Sequence, residues 1–202
     1  MKKLVLQGSL VVSTFLLCDV SKAALVLDTG MPTGNPDIIS SQSLQAAEFY
    51  AVAGTTITQL AVDLSAIASG NGDLATLYLF GSSISRNPSA LASGSAVFNS
   101  TGWTSASVDY LIRTTGYYYV AVGSTVGTTF DAPTGATTSS GTAPAAGFAF
   151  SSNSGTQYTT DLTGIGFQVS ATPVPEPSTY GILAGVGLMA VTIGSQLRRK
   201  AA

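Results

Sequence analysis

The fold class this sequence predicts is all-β: an antiparallel β-sandwich, jelly-roll-like, with an N-terminal signal peptide and a C-terminal transmembrane helix. Three observations predict it. Short apolar or alternating runs recur along the body, each bounded by Gly, Pro, Asn or Ser. No stretch of the body shows the 3.6-residue apolar period of an amphipathic helix. Charged residues make up only 9% of the chain, with Ser, Thr and Gly in their place, as in exported β-proteins whose strands show hydroxyls to water. A closed barrel is the alternative.

Each element follows from its local pattern. Leu25, Val26 and Leu27 open the body as an edge strand. Residues 31–43, with Pro32, Gly34, Asn35 and Pro36, predict a loop. Residues 45–52 alternate and end at a turn on Gly54. Residues 56–64 alternate most clearly, Leu60, Val62 and Leu64 facing one way and Gln59, Ala61 and Asp63 the other. Their expected partner is residues 74–80, reached through the turn Gly70-Asn71-Gly72-Asp73. That second strand is apolar on both faces, Leu77 and Leu79 against Tyr78 and Phe80, so it belongs inside a sheet. Pro88 turns the chain into residues 91–98, and Val108, Tyr110 and Ile112 share a face. The run Tyr117-Tyr118-Tyr119 alternates, so Tyr118 points opposite to its neighbours. Residues 125–144 predict a long loop or a pair of weak edge strands. Phe148 and Phe150, then Ile165, Phe167 and Val169, close a domain of about nine strands.

Both ends carry membrane signals. Lys2 and Lys3 precede an apolar run over residues 4–17, and Ser21-Lys22-Ala23 offers small residues at −3 and −1. This is a signal peptide, 1–23, cut by signal peptidase after Ala23 or after Ala24; an uncut anchor is the alternative. Leu17 is too bulky for a lipobox ahead of Cys18, so Cys18 leaves with the peptide and the mature chain has no thiol. At the other end, residues 180–197 carry no charge, 18 residues that at about 1.5 Å each can cross a hydrocarbon core of about 30 Å. Arg198, Arg199 and Lys200 follow and stay cytoplasmic. The body, 24–172, therefore lies between a signal peptide and a tail, 173–202.

The tail resembles the PEP-CTERM sorting signal of Gram-negative bacteria: Val174-Pro175-Glu176-Pro177, then the hydrophobic run, then the basic cluster. The resemblance implies processing by an exosortase, with Pro175-Glu176-Pro177 as the recognition element, transient anchoring in the inner membrane, and residence at the cell surface or in the extracellular matrix. The body resembles the choice-of-anchor β-domains that accompany such tails. It does so at Thr56-Ile57-Thr58-Gln59-Leu60, Leu77-Tyr78-Leu79-Phe80 and Gly116-Tyr117-Tyr118-Tyr119-Val120. Membership there implies a surface-anchored domain and brings no catalytic residues.

Composition narrows the chemistry. The whole chain has no histidine, and residues 24–172 hold two basic residues, Arg86 and Arg113, against eight acids. Without His, Cys or Lys in the body, Ser-His, Cys-His, Ser-Lys and thiolate-zinc chemistries are excluded. What remains is an acid pair as in glycosidases. The expectation is no enzyme. The acidic balance also excludes nucleic-acid binding, which needs Lys and Arg to displace counterions.

Three local features bear on ligands. Trp103, in the polar context Ser100-Thr101-Gly102-Trp103-Thr104, reads as a turn residue that either stacks on a sugar ring or plugs the end of the core. Asn71, Asp73 and Asp63 are candidate oxygen ligands for a structural Ca²⁺, although Asn-Gly-Asp is also an ordinary turn. Asn99-Ser100-Thr101 is a glycosylation sequon of little weight in a bacterial protein. The expected role is an exported, non-enzymatic structural or adhesive matrix component. The alternative is a carbohydrate-binding module recognising exopolysaccharide.

Overall fold

The computed structural model describes residues 23–69, 74–82, 84, 88–136, 147–161, 164–172 and 189. The expected signal peptide apart from Ala23, the expected span over 180–197 apart from Met189, and Asn71 and Asp73 lie outside them. No helix among the described residues is long and apolar enough to cross a membrane. The body falls within one compact unit, Ser21–Pro173.

Its strands are β1 (Ala24–Asp28), β2 (Pro36–Ile39), β3 (Leu44–Ala51), β4 (Thr56–Leu64), β5 (Ala66–Ser69), β6 (Leu74–Phe80) and β7 (Ala90–Val97). They continue with β8 (Gly102–Leu111), β9 (Gly116–Ser124), β10 (Thr129–Ala136), β11 (Phe148–Ser151), β12 (Thr159–Asp161), β13 (Gly164–Ile165) and β14 (Phe167–Thr172). They form antiparallel sheets packed together as a sandwich. One sheet has the order β1-β14-β4-β8, a second β12-β11-β3-β9-β6-β7, and a small third β13-β10-β2 with β5 also on β10.

A single apolar core joins all three. Leu27 of β1, Phe49 of β3, Leu60 and Val62 of β4, Leu77 and Leu79 of β6, Val120 of β9, Phe130 of β10 and Phe167 of β14 are fully buried in it. The sandwich closes along one side where β7 approaches β8: a Cβ built on Gly94 would stand 2.8 Å from the Ser107 carbonyl oxygen and 2.9 Å from Ala106 Cβ. Only glycine permits backbones that close.

Four expectations are corrected. Residues 31–43 are not all loop, because β2 lies among them, pairing Ile39 with Phe130 and Pro36 with Pro133. Proline is tolerated there because β2 is an edge strand, where a missing N–H breaks no ladder bond. The described part of residues 125–144, residues 125–136, is neither loop alone nor an edge: it holds β10, the centre of the small sheet, burying Phe130 and Ala132. The strands over 56–64 and 74–80 are not partners. After β4, the Ser65 N–H donates to the Asp131 carbonyl oxygen at 2.8 Å, and β5 pairs with β10, so the chain changes sheets before β6. Lastly, the described residues form fourteen strands rather than about nine; besides the eight-residue β10, the unexpected ones are pieces of two to four residues that leave little trace in a period-2 pattern.

Candidate contact face and sorting signal

The six-stranded sheet turns alternate residues of β3, β6 and β9 into the core and the others outward. On β9, Tyr118 points inward, its ring centroid 6.2 Å from that of Phe49, and its hydroxyl donates to the Thr114 carbonyl oxygen at 2.6 Å. Tyr117 and Tyr119 therefore face out, as the alternation predicts.

Part of this outer face is covered. Leu44, Ala46, Phe80, Ile84, Ala121, Ala149 and Tyr158 form a second apolar cluster there, with Tyr78 and Tyr119 at its margin. Tyr158 is held over the sheet by a turn built on Ser151. The Ser151 hydroxyl donates to Asn153 Oδ1 at 2.8 Å and accepts the Gly155 N–H at 3.0 Å. Ser154 and Gly155 take positive φ, 61° and 77°, a conformation glycine reaches without Cβ strain. Tyr158 packs edge-on against Phe80, centroids 6.1 Å apart, and Phe80 stacks with Tyr78 at 5.8 Å. Burial and the nearby Tyr78 push the Tyr158 hydroxyl well above the usual phenol range, and that hydroxyl has no hydrogen-bond partner among the described residues.

Beyond the covered part, the tyrosines are open. Tyr50 of β3 lies directly opposite Tyr117 of β9, ring centroids 5.3 Å apart and edge to face. They are 40% and 48% exposed, well above what a core aromatic shows. One step along the sheet, Tyr119 lies opposite Glu48. Burial, the hydrogen bond to Glu48 and its charge together push Tyr119 up to about 12. Tyr50 also borders a hollow of about 210 Å³ with Ala24, Val52 and Thr172, where the body begins and ends. Tyr50 is the functional candidate that sequence reasoning missed. The alternation of residues 45–52 marks only a strand, and it takes the register to reveal Tyr117 beside Tyr50.

Trp103 is elsewhere. It lies within β8, not in a turn: Gly102, at φ 118°, makes the bend and Trp103 continues the strand. It pairs with Asp63 across β4–β8 on the four-stranded sheet, half-buried, and belongs to neither apolar cluster. Trp103 is thus on the other large sheet from Tyr50 and Tyr117. Asp63 is buried under the segment carrying Pro32; both its Cβ and Pro32 Cδ crowd the open side of Gly166. Burial raises its carboxyl above the usual carboxylate range. Among the described residues no three acids gather where they could hold a metal ion. Asp63 alone of the candidate Ca²⁺ ligands is described.

The tail leaves the body at Thr172, which pairs with Thr56 at the end of β14; Ala171 pairs with Ala24 at the start of β1. Ala24 and Thr172 thus lie on adjacent strands at one end of a sheet. Residues 173–200 match the family model of the PEP-CTERM protein-sorting motif, a stretch that contains Val174, Pro175, Glu176, Pro177, Arg198, Arg199 and Lys200. No curated protein matches the sequence. Among solved structures, one chain of the structure of infectious bursal disease virus Gx strain is similar at 11% identity and a TM-score of 0.27. The match covers 81% of this chain and 42% of that one, and so loose a likeness bears on neither fold nor function. The chain is a β-rich body followed by a PEP-CTERM sorting motif, a signal that implies export and exosortase processing at the cell envelope.

Proposed function

We propose that this protein works outside the cell as a non-enzymatic structural or adhesive component of the surface or matrix. The sorting motif carries this reading, because it commits the chain to the envelope whatever its body binds. The body supports it through what it lacks. With no histidine anywhere and no Lys or Cys between residues 24 and 172, it has no nucleophile–base pair of the usual kinds. The resemblance to choice-of-anchor domains, and a jelly-roll-like reading of the sheets, agree with it. Glu176, between two prolines, is the residue we assign to exosortase recognition.

A second reading, a carbohydrate-binding module, is favoured by the exposed Tyr50–Tyr117 pair. Tyrosine offers a rigid apolar face with a polar tip, the chemistry that suits a pyranose ring. The two readings meet in one picture: a surface protein whose tyrosine face touches extracellular polysaccharide.

Mass spectrometry of the mature protein from its host tests the first reading. We expect an N-terminus at Ala24 and no peptides reaching Lys200, with the protein recovered from the surface or matrix. Intact C-terminal peptides on most molecules would leave a membrane-anchored protein instead. Hydrolytic turnover of any glycan would overturn the non-enzymatic assignment.

A further inference from the structure

Away from the tyrosine face, β2 and β11 border a groove of about 490 Å³, lined by Pro36, Asp37, Ile38, Ser43, Gln45 and Phe150. Its volume falls within the range of about 300–1,000 Å³ typical of small-molecule sites. Its floor is built. Gln45, 5% exposed, donates from Nε2 to Asp37 Oδ2 at 3.1 Å, which fixes the carboxylate at the rim; its own Oε1 has no partner among the described residues. A buried amide oxygen left unsatisfied is costly, and a ligand reaching it would recover that cost. Phe150, directly opposite Gln45 across β3–β11, gives an apolar wall and is 37% exposed.

We propose that this groove is a binding site for a neutral glycan, with Asp37 accepting sugar hydroxyls and Phe150 lying against a ring face. The chemistry of the lining selects that class. Among the described residues no basic side chain lines the groove, so Asp37 would repel phosphate or uronate. One carboxylate is too few for a divalent cation, which takes six to eight oxygens when it is calcium. A peptide adding to the edge of β2 would find four residues opening on a proline with no N–H to give. A polyhydroxylated neutral ring meets all three features: an acceptor, an unpaired amide oxygen and an aromatic wall. This goes beyond the surface-contact reading and rests on it only for the ligand class.

The full chain in a non-sugar detergent, titrated with cellohexaose, maltohexaose and chitohexaose and followed by amide NMR, tests it. We expect at least one hexasaccharide to shift amides of β2 and β11. Asp37→Ala should weaken it about tenfold, from loss of a charge-assisted hydrogen bond. Phe150→Ala should weaken it by a similar factor, while Tyr117→Ala leaves it unchanged. Both side chains are at the surface, so these variants should fold, and backbone spectra will show it. The proposal is overturned if none of the three sugars binds, or if binding survives both groove variants. Binding lost in Tyr117→Ala but kept in Asp37→Ala would move the sugar to the tyrosine face, overturning the groove while sparing the surface-contact reading.

Discussion

The outer faces of the two large sheets obey the same period-2 rule and carry different chemistry. On the four-stranded sheet, the outward residues of β4 and β8 include Gln59, Ser105 and Ser107, and the Gln59 amide donates to the Ser105 hydroxyl at 3.1 Å. That face satisfies itself and its hydroxyls meet water. On the six-stranded sheet, the outward positions hold Tyr50, Tyr78, Tyr117 and Tyr119, partly roofed by Tyr158 and Ile84. Hydroxyl side chains cost little to leave wet. Exposed tyrosine pairs leave apolar area in water, and such area concentrated on one face marks a contact surface. Alternation tells which way a side chain points; residue type tells what that face is for.

Breaking the shared core should have the largest effect. Phe167→Ala, at a fully buried position between the sheets, should cost about 3–5 kcal/mol in urea unfolding. Tyr117→Ala, on the open face, should cost less than about 1 kcal/mol by the same measure. Similar costs at the two sites would mean that the tyrosine face is core in disguise. Next in size is the seam where β7 meets β8. Gly94→Val puts a side chain where 2.8 Å separates a Cβ from the Ser107 carbonyl oxygen, and should destabilise by about 1–3 kcal/mol.

Titration should separate the two faces more finely. Tyr119 holds its proton up to about 12, because of burial and the Glu48 carboxylate beside it. An unfolded tyrosine ionises near 10. The folded state thus binds the proton more tightly, so stability is lost as pH rises from about 10 through about 12. Spectrophotometric titration should show Tyr119 ionising only near pH 12, and Glu48→Gln should bring it down. On the opposite sheet, burial raises Asp63 above its ordinary 3.8. A carboxyl raised in this way favours the folded state while protonated, so its contribution falls as pH climbs through the window just above 3.8. Asp63→Asn should remove that slope and raise the melting temperature slightly at neutral pH.

How much of this was legible depended on range. The course of β4, the apolar character of both faces of β6 and the opposition of Tyr118 to its neighbours follow from residues within a few positions of each other; which of the tyrosines points inward does not. Pairing does not. A Gly-Asn-Gly-Asp turn suggested that β4 and β6 form a hairpin, yet the Ser65–Asp131 bonds divert the chain through β5. Asp131 is 66 residues away, and no local pattern encodes it. Likewise β10, Thr129–Ala136, reads as solvated because its composition is Thr, Pro and Gly; Phe130 and Ala132 suffice to centre it. Trp103 reads as a turn residue from its polar neighbours, yet β8 already begins at Gly102. The Tyr50–Tyr117 pair required the β3–β9 register. The sorting tail needed none of this, being read from consecutive residues.

The comparison between the faces is tested most directly in the native host. Two variants, Tyr50→Ser with Tyr117→Ser, and Ser105→Ala with Ser107→Ala, would be compared with the parent chain for retention in the surface and matrix fraction after washing. Each should be processed normally at the tail. The tyrosine-face variant is expected to appear largely in the medium, and the hydroxyl-face variant to stay with the cells like the parent. Equal retention of all three would contradict the assignment of the tyrosine face as the contact surface.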